Sequence, residues 1–450
     1  MSNETIIFSA RAGLVALGIR FQQMKIWDRI TETVIIHQKV RQHTPLNKLL
    51  DCFINILAGG AGVVEVNTRV RPDIAVQRAF GRNACAEQST ISDTLNACTS
   101  DTVVQMRRAL KSILRMHSQS CRHDYQAHWL LWDVDVTGLV AGRQGEGVSK
   151  GYFPKQPNRR GRQLGRVIAT CYDEVIFERL YDGKRQLDQS LPELIDGADD
   201  VLNLTENQRK RTIIRSDAGG GTDANLNWVL KRGYQILIKV KNWRRAEKLA
   251  ASVQAWYPDP KVAGREVGWV TQPHLYVQPT RQLALRERKK NGKWSYHVIV
   301  VTLTDATLFE LCDQTMPTTV SPHAILLAAM HAYDQRGGGA ETQNRNDKQG
   351  LHLMHRNKHK FAAQEMLVLL AQLAHNVVIW TRNDLAQIRP HFKKYGVGRT
   401  VRDVFHISGG IRFDPIGHIQ CITLNDRHPS AAALQRALAS DELSLILGKI

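Results

Sequence analysis

The chain has 450 residues, more than one compact core normally holds, so we expect two to four domains. Its formal net charge is +19 at pH 7, and a field of this sign favours a polyanionic partner such as nucleic acid. The seven cysteines are scattered and form no CxxC pair, which argues against a disulfide framework or a zinc site and favours a reducing compartment.

Helical spacing dominates residues 1–122. The segment 46–62, LNKLLDCFINILAGGAG, ends in a glycine cluster that is typical of a helix stop. The segment 79–99 predicts a helix, a turn and a second helix whose polar side chains suit a DNA groove. An ordinary helical hairpin explains the same pattern equally well. We predict a helical DNA-binding domain over residues 1–122.

Residues 123–254 predict alternating strands and helices. The segment 129–140, WLLWDVDVTGLV, is typical of a strand, and residues 161–173 and 174–183 predict a hairpin. A buried strand follows at 212–220, TIIRSDAGG, with further helix and strand patterns behind it. Three serial strands followed by α/β units on one sheet are the layout of an RNase-H-like domain. We therefore predict the first part of such a catalytic core over these residues.

The remaining sequence changes character three times. Short alternating strands over 255–320, including 274–280, predict a β-rich insertion. Helical periodicity resumes over 321–385 and continues from Glu341 to about residue 383, which predicts the helical remainder of the core. Residues 386–450 predict a basic segment, a hairpin and a final helix. The predicted fold is thus α/β, an RNase-H-like core interrupted by a β-rich insertion, with an N-terminal helical domain.

The most apolar long segment, residues 361–380, predicts a buried helix and not a membrane span. The reason is the polar side chains within it, which are Gln364, Glu365, Gln372, His375 and Asn376. No signal peptide is evident at the N-terminus. We expect a cytoplasmic, nucleoid-associated protein without a membrane partner.

Three acidic residues lie where packing does not call for a carboxylate. Asp135 and Asp217 end apolar strands, and Glu341 begins a helix behind a glycine-rich turn. Asp133 shares a strand face with Asp135 and stays an alternative to it. Capping or a turn explains each acid alone, but together they predict a site for two Mg²⁺ ions, with Mn²⁺ as a substitute, of the kind that cleaves phosphodiesters.

Basic and aromatic residues flank these acids. Tyr333 and Arg336 precede Glu341, and Lys348 follows it by seven residues, nearly two helical turns, so that the acid and the lysine face the same side. We predict that these three neighbours hold DNA. Four arginines are predicted to supply affinity for the DNA backbone: Arg159, Arg160, Arg162 and Arg166.

The segments DVDVT at 133–137, IIRSDAGG at 213–220 and YDQRGGGAETQNRNDKQGL at 333–351 together resemble bacterial insertion-sequence transposases of the DDE type. The similarity is to the branch with a β insertion between the second Asp and the Glu, and here those two residues are 124 positions apart. The signature of that branch is Tyr, two residues, Arg, three residues, Glu, six residues, Lys. Four residues separate Arg336 from Glu341, one more than in the signature.

The resemblance implies a DNA transposase in which Asp135, Asp217 and Glu341 are catalytic and hold the metal ions. It implies cut-and-paste movement, in which transposon ends are cleaved and joined to target DNA. The implied partners are double-stranded terminal inverted repeats and target DNA, bound by a homodimer. An aromatic residue of the insertion would stack on a flipped base, for which Trp294 and Trp269 are candidates.

Two alternatives to a transposase stay open. One is a stand-alone RNase-H-like DNA nuclease, which cleaves DNA without joining it. The other is a non-catalytic DNA-binding protein derived from a transposase.

Overall fold

The computed structural model describes residues 5–151, 153, 158–439 and 443–450. The strands are β1 (Thr5–Ser9), β2 (Leu130–Val140), β3 (Ser149–Lys150), β4 (Arg160–Ala169), β5 (Glu174–Tyr181), β6 (Thr212–Ser216), β7 (Gln235–Lys239), β8 (Tyr257–Pro258), β9 (Arg265–Trp269), β10 (Arg281–Arg288), β11 (Trp294–Val301), β12 (Gly409–Phe413), β13 (Ile419–Asn425) and β14 (Ser444–Gly448). The α-helices are α1 (Ala12–Gln23), α2 (Ile26–Thr33), α3 (Pro45–Leu57), α4 (Val66–Arg69), α5 (Ile74–Ala79), α6 (Gln88–Asn96), α7 (Ser100–His117), α8 (Leu187–Leu202), α9 (Glu206–Lys210), α10 (Asp223–Lys231), α11 (Trp243–Ala250), α12 (Asp305–Glu310), α13 (Pro322–Asp334), α14 (Ala340–Gly350), α15 (Phe361–Ile388), α16 (Val397–Thr400) and α17 (Ala431–Leu438).

The chain divides into two compact units. Unit 1 consists of Met1–Ser118, Leu139–Ser149 and Asn344–Ile450, and unit 2 consists of Gln119–Gly138 and Lys150–Gln343. Both units are therefore assembled from separate stretches of the chain. The division into five segments expected from the sequence (1–122, 123–254, 255–320, 321–385 and 386–450) stays a prediction.

Unit 1 is built around the long helix α15. This helix is long and apolar enough to cross a membrane, but 89% of its most apolar window is buried inside the protein. It packs against α3, α6 and α7. Its polar residues find partners in the interior, as His375 Nδ1 does with Asp347 Oδ1 at 2.7 Å. This burial agrees with the prediction of a buried helix.

Two expectations for unit 1 were wrong. The helical pattern expected to continue from Glu341 to about residue 383 is interrupted, because α14 ends at Gly350 and His352 has a left-handed backbone with φ of 55°. The N-terminal segment, expected to be helical, opens with strand β1, which pairs antiparallel with β12. Its partner lies about 400 residues away in sequence, so local periodicity does not reveal the pairing.

Unit 2 contains a mixed sheet whose strands run in the order β3, β4, β2, β6, β7, β11, β10, β9, β8, with β5 also paired to β4. The pairs β2–β6 and β6–β7 are parallel, whereas β4–β5, β7–β11 and β10–β11 are antiparallel. Side chains from this sheet and from α12 and α13 form one buried core, which includes Ile213, Leu237, Ile299, Leu308 and Met330. Strands from the predicted insertion thus extend the sheet that begins in the predicted core.

The strand expected over residues 274–280 is not formed. The side chain of Gln282 bonds to the backbone of this segment in place of a neighbouring strand. Gln282 Oε1 accepts from the His274 N–H at 3.1 Å, and Gln282 Nε2 donates to the His274 carbonyl at 2.6 Å. The N–H of Val277 donates to Asn227 Oδ1 at 2.9 Å. Side-chain partners therefore satisfy this segment as a loop.

Candidate active site

Strands β2 and β6, which are neighbours inside the unit 2 sheet, bring two of the three acids together. They are parallel, with Asp133 opposite Arg215. Continued by two residues, this register places Asp135 beside Asp217, on neighbouring strands that lie about 4.8 Å apart in a sheet. Both strands consist largely of buried residues, as expected for parallel strands covered on both faces. Asp217 directly follows the last residue of β6, whereas Asp135 lies in the middle of β2, which continues to Val140.

A packed glycine turn holds Asp217. One oxygen of its carboxylate accepts a hydrogen bond from the Gly219 N–H at 2.8 Å. A Cβ added to Gly221 would overlap the carbonyl oxygen of Lys239, so a larger residue there would push the turn away from β7. The glycines are thus needed for close packing of the turn that carries the acid.

Arg336 connects the other two acids. It lies in a short 3-10 helix, Gln335–Gly337, between α13 and α14. Its guanidinium is 3.5 Å from Asp135 Oδ1 and 3.2 Å from Glu341 Oε1. The Arg336 side chain is only 6% exposed, whereas that of Glu341 is 62% exposed. A buried cation therefore lies between the Asp135 carboxylate on β2 and the solvent-exposed Glu341 carboxylate on α14.

The charges of the site act on one another. The pKa of Asp135 is raised to about 6, chiefly by burial and also by Asp217 and Glu341, while Arg336 opposes the shift. Burial disfavours the charged form of Arg336, but Asp135 and Asp217 outweigh it and raise the pKa of the guanidinium. The three acids and the arginine thus share one electrostatic environment, even though they come from distant parts of the chain.

The carboxylates of Asp135, Asp217 and Glu341 suit a hard cation, but they are not grouped as the ligands of a complete metal site. Among the residues that the structure describes, no three His, Cys, Asp or Glu side chains are grouped to hold a metal ion. All three acids nevertheless offer carboxylate oxygens, which Mg²⁺ prefers. A cationic group, the Arg336 guanidinium, already occupies the position between Asp135 and Glu341. Metal binding would require Arg336 to give up these contacts.

Asp133, the alternative to Asp135, is committed elsewhere. It is fully buried, and its two oxygens accept from Arg215 Nε at 2.6 Å and Nη2 at 3.1 Å. An Asp held by a two-pronged ion pair inside the protein is not available to a metal. Asp135 is therefore the acid of β2 that faces the site.

The residues predicted to bind DNA near Glu341 differ in their surroundings. The Tyr333 hydroxyl donates to the Ser216 carbonyl at 3.4 Å, and burial raises its pKa. Arg336 contacts carboxylates of the site, as described above. Lys348 lies on α14, seven residues beyond Glu341 on the same helix. Tyr333 thus packs α13 against the end of β6, close to Asp217.

The arginine cluster divides into exposed and buried members. Arg159 is exposed and Arg160 is half-buried, but Arg162 and Arg166 are each 1% exposed. Arg166 Nε donates to Glu178 Oε2 at 2.6 Å, within the β4–β5 hairpin. Guanidinium groups buried this deeply are not available to DNA, so we withdraw Arg162 and Arg166 from the residues predicted to bind it.

Both tryptophans predicted to stack on a base are covered by arginines. Trp294, the first residue of β11, has the Arg286 guanidinium 4.5 Å from its ring centroid. Trp269 ends β9, packs partly against the unit 2 core and has Arg281 at 5.2 Å. Sequence reasoning did not anticipate these cation–π contacts, which a base would have to displace.

Sequence reasoning also missed Arg215. Its signal was present, because a charged residue inside a run of β-branched residues must find a buried partner. Arg215 is 2% exposed and pairs with Asp133.

Comparison with known proteins gives little further information. No protein-family model matches the sequence, and no curated protein is significantly similar to it. Among solved structures, a piggyBac transposase in a synaptic complex with hairpin DNA is similar to 90% of this chain and 82% of that chain. The sequence identity is 12% and the TM-score is 0.47, a likeness too distant to argue for a function.

Proposed function

We propose that the protein is a DDE-type DNA transposase with Asp135, Asp217 and Glu341 as its catalytic acids. The observation that carries the proposal is the convergence of these acids in unit 2. The register of β2 and β6 places two of them side by side, and Arg336 contacts Asp135 and Glu341 together. Acids from three distant parts of a basic chain that share one electrostatic environment suit phosphodiester chemistry better than a structural role.

The strand order supports an RNase-H-like reading of unit 2. The order β5, β4, β2, β6, β7 combines a hairpin with two parallel pairs. In this interpretation β8 to β11 are the insertion that precedes the catalytic Glu. Asp217 then lies just beyond the C-terminal end of β6, where ligands bind in open α/β sheets, and the register places Asp135, within β2, beside it.

The proposed chemistry has two steps. In the first, water attacks a phosphodiester at the transposon end, the bond to the 3′ oxygen breaks, and a 3′-OH is released. In the second, that 3′-OH attacks a phosphodiester of target DNA and displaces a target 3′ oxygen, so that a new bond replaces the broken one. Two Mg²⁺ ions, or Mn²⁺ in their place, would stabilise charge on the attacking and leaving oxygens. Asp135, Asp217 and Glu341 would hold them.

The partners follow from the same proposal. Double-stranded DNA, as terminal inverted repeats and as target, would be bound by a homodimer, because two ends must be brought together. Arg159 and Arg160 remain candidates for contacts with the backbone. Cleavage and joining on purified protein test the proposal directly.

The test uses a plasmid that carries the DNA on both sides of the gene. The expected result is Mg²⁺-dependent cleavage at the ends of short inverted repeats, followed by joined products with a second plasmid, and no reaction in EDTA. Cleavage without joining would identify the nuclease alternative. Binding without cleavage, and without a calorimetric signal for Mg²⁺, would identify the non-catalytic alternative.

Arg336 offers a test of the acidic site that needs no DNA. Replacing Arg336 with Gln removes the cation between Asp135 and Glu341. We expect a lower Tm in EDTA, by about 2–4 °C for each kcal/mol of lost pairing. Mg²⁺ should then raise the Tm of the variant more than that of the wild type, because it supplies the missing positive charge. Differential scanning calorimetry with and without Mg²⁺ measures both changes.

The matched control is Arg345→Gln, which removes an exposed arginine from α14. It should leave the Tm and its response to Mg²⁺ unchanged. An equal response to Mg²⁺ in the wild type and in Arg336→Gln would contradict a cation site between these acids.

A further inference from the structure

We propose that Arg215 is a positioning residue that aligns the three acidic segments of the site. This inference rests on the proposed function and adds to it a residue to which the sequence analysis gave no role. We name the Arg215 network as the side chains of Asp133, Thr170 and Arg215 together with the carbonyl of Ala332. All of its members belong to unit 2.

The network joins four separate segments through one guanidinium. Arg215 Nε and Nη2 donate to the two oxygens of Asp133 at 2.6 and 3.1 Å. Nη2 also donates to Thr170 Oγ1 at 3.2 Å, and Nη1 donates to the Ala332 carbonyl at 3.0 Å. Arg215 and Asp133 are 2% and 0% exposed. The planar, multiply bonded geometry of a guanidinium fixes the orientation of each partner.

Each of three anchor points lies just before a residue of the site. The anchor on β2 is two residues before Asp135, and the anchor on β6 is two residues before Asp217. The carbonyl on α13 is four residues before Arg336, which contacts Glu341. If an anchor moves, the short stretch of backbone beyond it therefore moves the neighbouring residue of the site as well.

The glycine-rich turn adds a steric contact to the same network. A Cβ placed on Gly339 would overlap Asp133 Oδ2, and it would also approach Thr170 Cγ2. The turn that leads into α14 thus rests directly on the Asp133–Arg215 pair. Glu341 follows this turn by two residues.

Stability alone does not explain such a pair. A buried ion pair costs desolvation, and replacing both partners with apolar residues of similar size is often neutral or stabilising. What apolar residues do not reproduce is the directional bonding from Arg215 to three other segments. The geometry therefore points to alignment of the acids as the contribution of Arg215.

The double variant Asp133→Leu, Arg215→Met tests this inference. We expect a folded protein whose urea midpoint stays close to that of the wild type. The Mg²⁺ concentration for half-maximal rise in Tm, and for half-maximal cleavage, should increase about tenfold or more, as is typical when the partners of metal ligands are removed. A variant with unchanged stability and unchanged Mg²⁺ dependence would overturn the inference.

The control is a second buried pair in the same unit, Arg166 and Glu178, which joins the β4–β5 hairpin. The variant Arg166→Met, Glu178→Leu should keep the Mg²⁺ dependence of the wild type, whatever its stability. Equal shifts in both double variants would show a general effect of buried pairs and would also overturn the inference.

Two other outcomes need their own interpretation: a double variant that does not fold, and a wild type that does not cleave DNA. Should the double variant not fold, Thr170→Val replaces it, since it removes the hydrogen bond to Arg215, together with a 3.4 Å bond to the Leu131 carbonyl, at nearly constant shape. A rise of about threefold in the required Mg²⁺ supports the inference, and no change contradicts it. If the wild type does not cleave DNA, the proposed function fails, but the Mg²⁺-induced rise in Tm still decides whether Arg215 aligns a metal site.

Discussion

Asp217→Asn is expected to abolish Mg²⁺-dependent cleavage while DNA binding persists. The substitution keeps the size of the side chain, and its remaining oxygen still accepts the Gly219 N–H bond that shapes the turn. It removes one negative charge from the proposed metal site. Losing several kcal/mol of charge stabilisation in the transition state should lower the cleavage rate about a thousandfold. Single-turnover cleavage assays and band-shift titrations measure the two properties separately.

Asp223→Asn is the matched control for this experiment. Asp223 lies six residues further on, in the first turn of α10, and pairs with Arg245. Its loss should cost little, because a half-exposed ion pair contributes about 1 kcal/mol or less. We expect cleavage within about twofold of the wild type. Mg²⁺-dependent cleavage by Asp217→Asn at the rate of this control would refute the catalytic assignment.

Gly339→Ala is expected to impair the site through its shape alone. The added methyl group would overlap Asp133 Oδ2, and the buried Asp133–Arg215 pair has no room to yield. The turn must therefore move outward, and Arg336 and Glu341 move with it. A misplacement of about 1 Å costs on the order of a hundredfold in rate. Cleavage rate and the Mg²⁺-induced rise in Tm should both fall.

Gly337→Ala supplies a control within the same run of three glycines. A Cβ at Gly337 meets open space, with no atom within 4 Å. The substitution should leave the cleavage rate within about twofold of the wild type, since no contact changes. Equal behaviour of the two alanine variants would show that the contact of Gly339 with Asp133 does not set the position of Glu341.

Local patterns in the sequence were sufficient for several parts of unit 2. The β-branched runs predicted strands β2 and β6, and the chain order predicted the β4–β5 hairpin. They also located Asp217 at the end of its strand, whereas Asp135, expected at a strand end, lies within β2, which continues to Val140. These features depend on neighbours in sequence, because alternation along a strand and the turn that follows it are local properties.

Local patterns were misleading where a residue depends on a distant partner. Arg162 and Arg166 look like a surface cluster but lie in the interior, because Glu178 on the next strand neutralises Arg166. Strand β1 exists because β12, near the other end of the chain, offers its edge. Such outcomes depend on charge pairing and backbone pairing across the fold, which residue type alone does not encode.

The sequence by itself determined which residues carry carboxylates and that Asp217 follows a buried strand. Only the tertiary structure decided that Asp133 turns to Arg215, that Asp135 faces the site and that Arg336 lies between Asp135 and Glu341. The physical reason is the register of β2 against β6. Asp133 and Asp135 share a strand face, so a shift of this register by one residue would turn both acids away from the site.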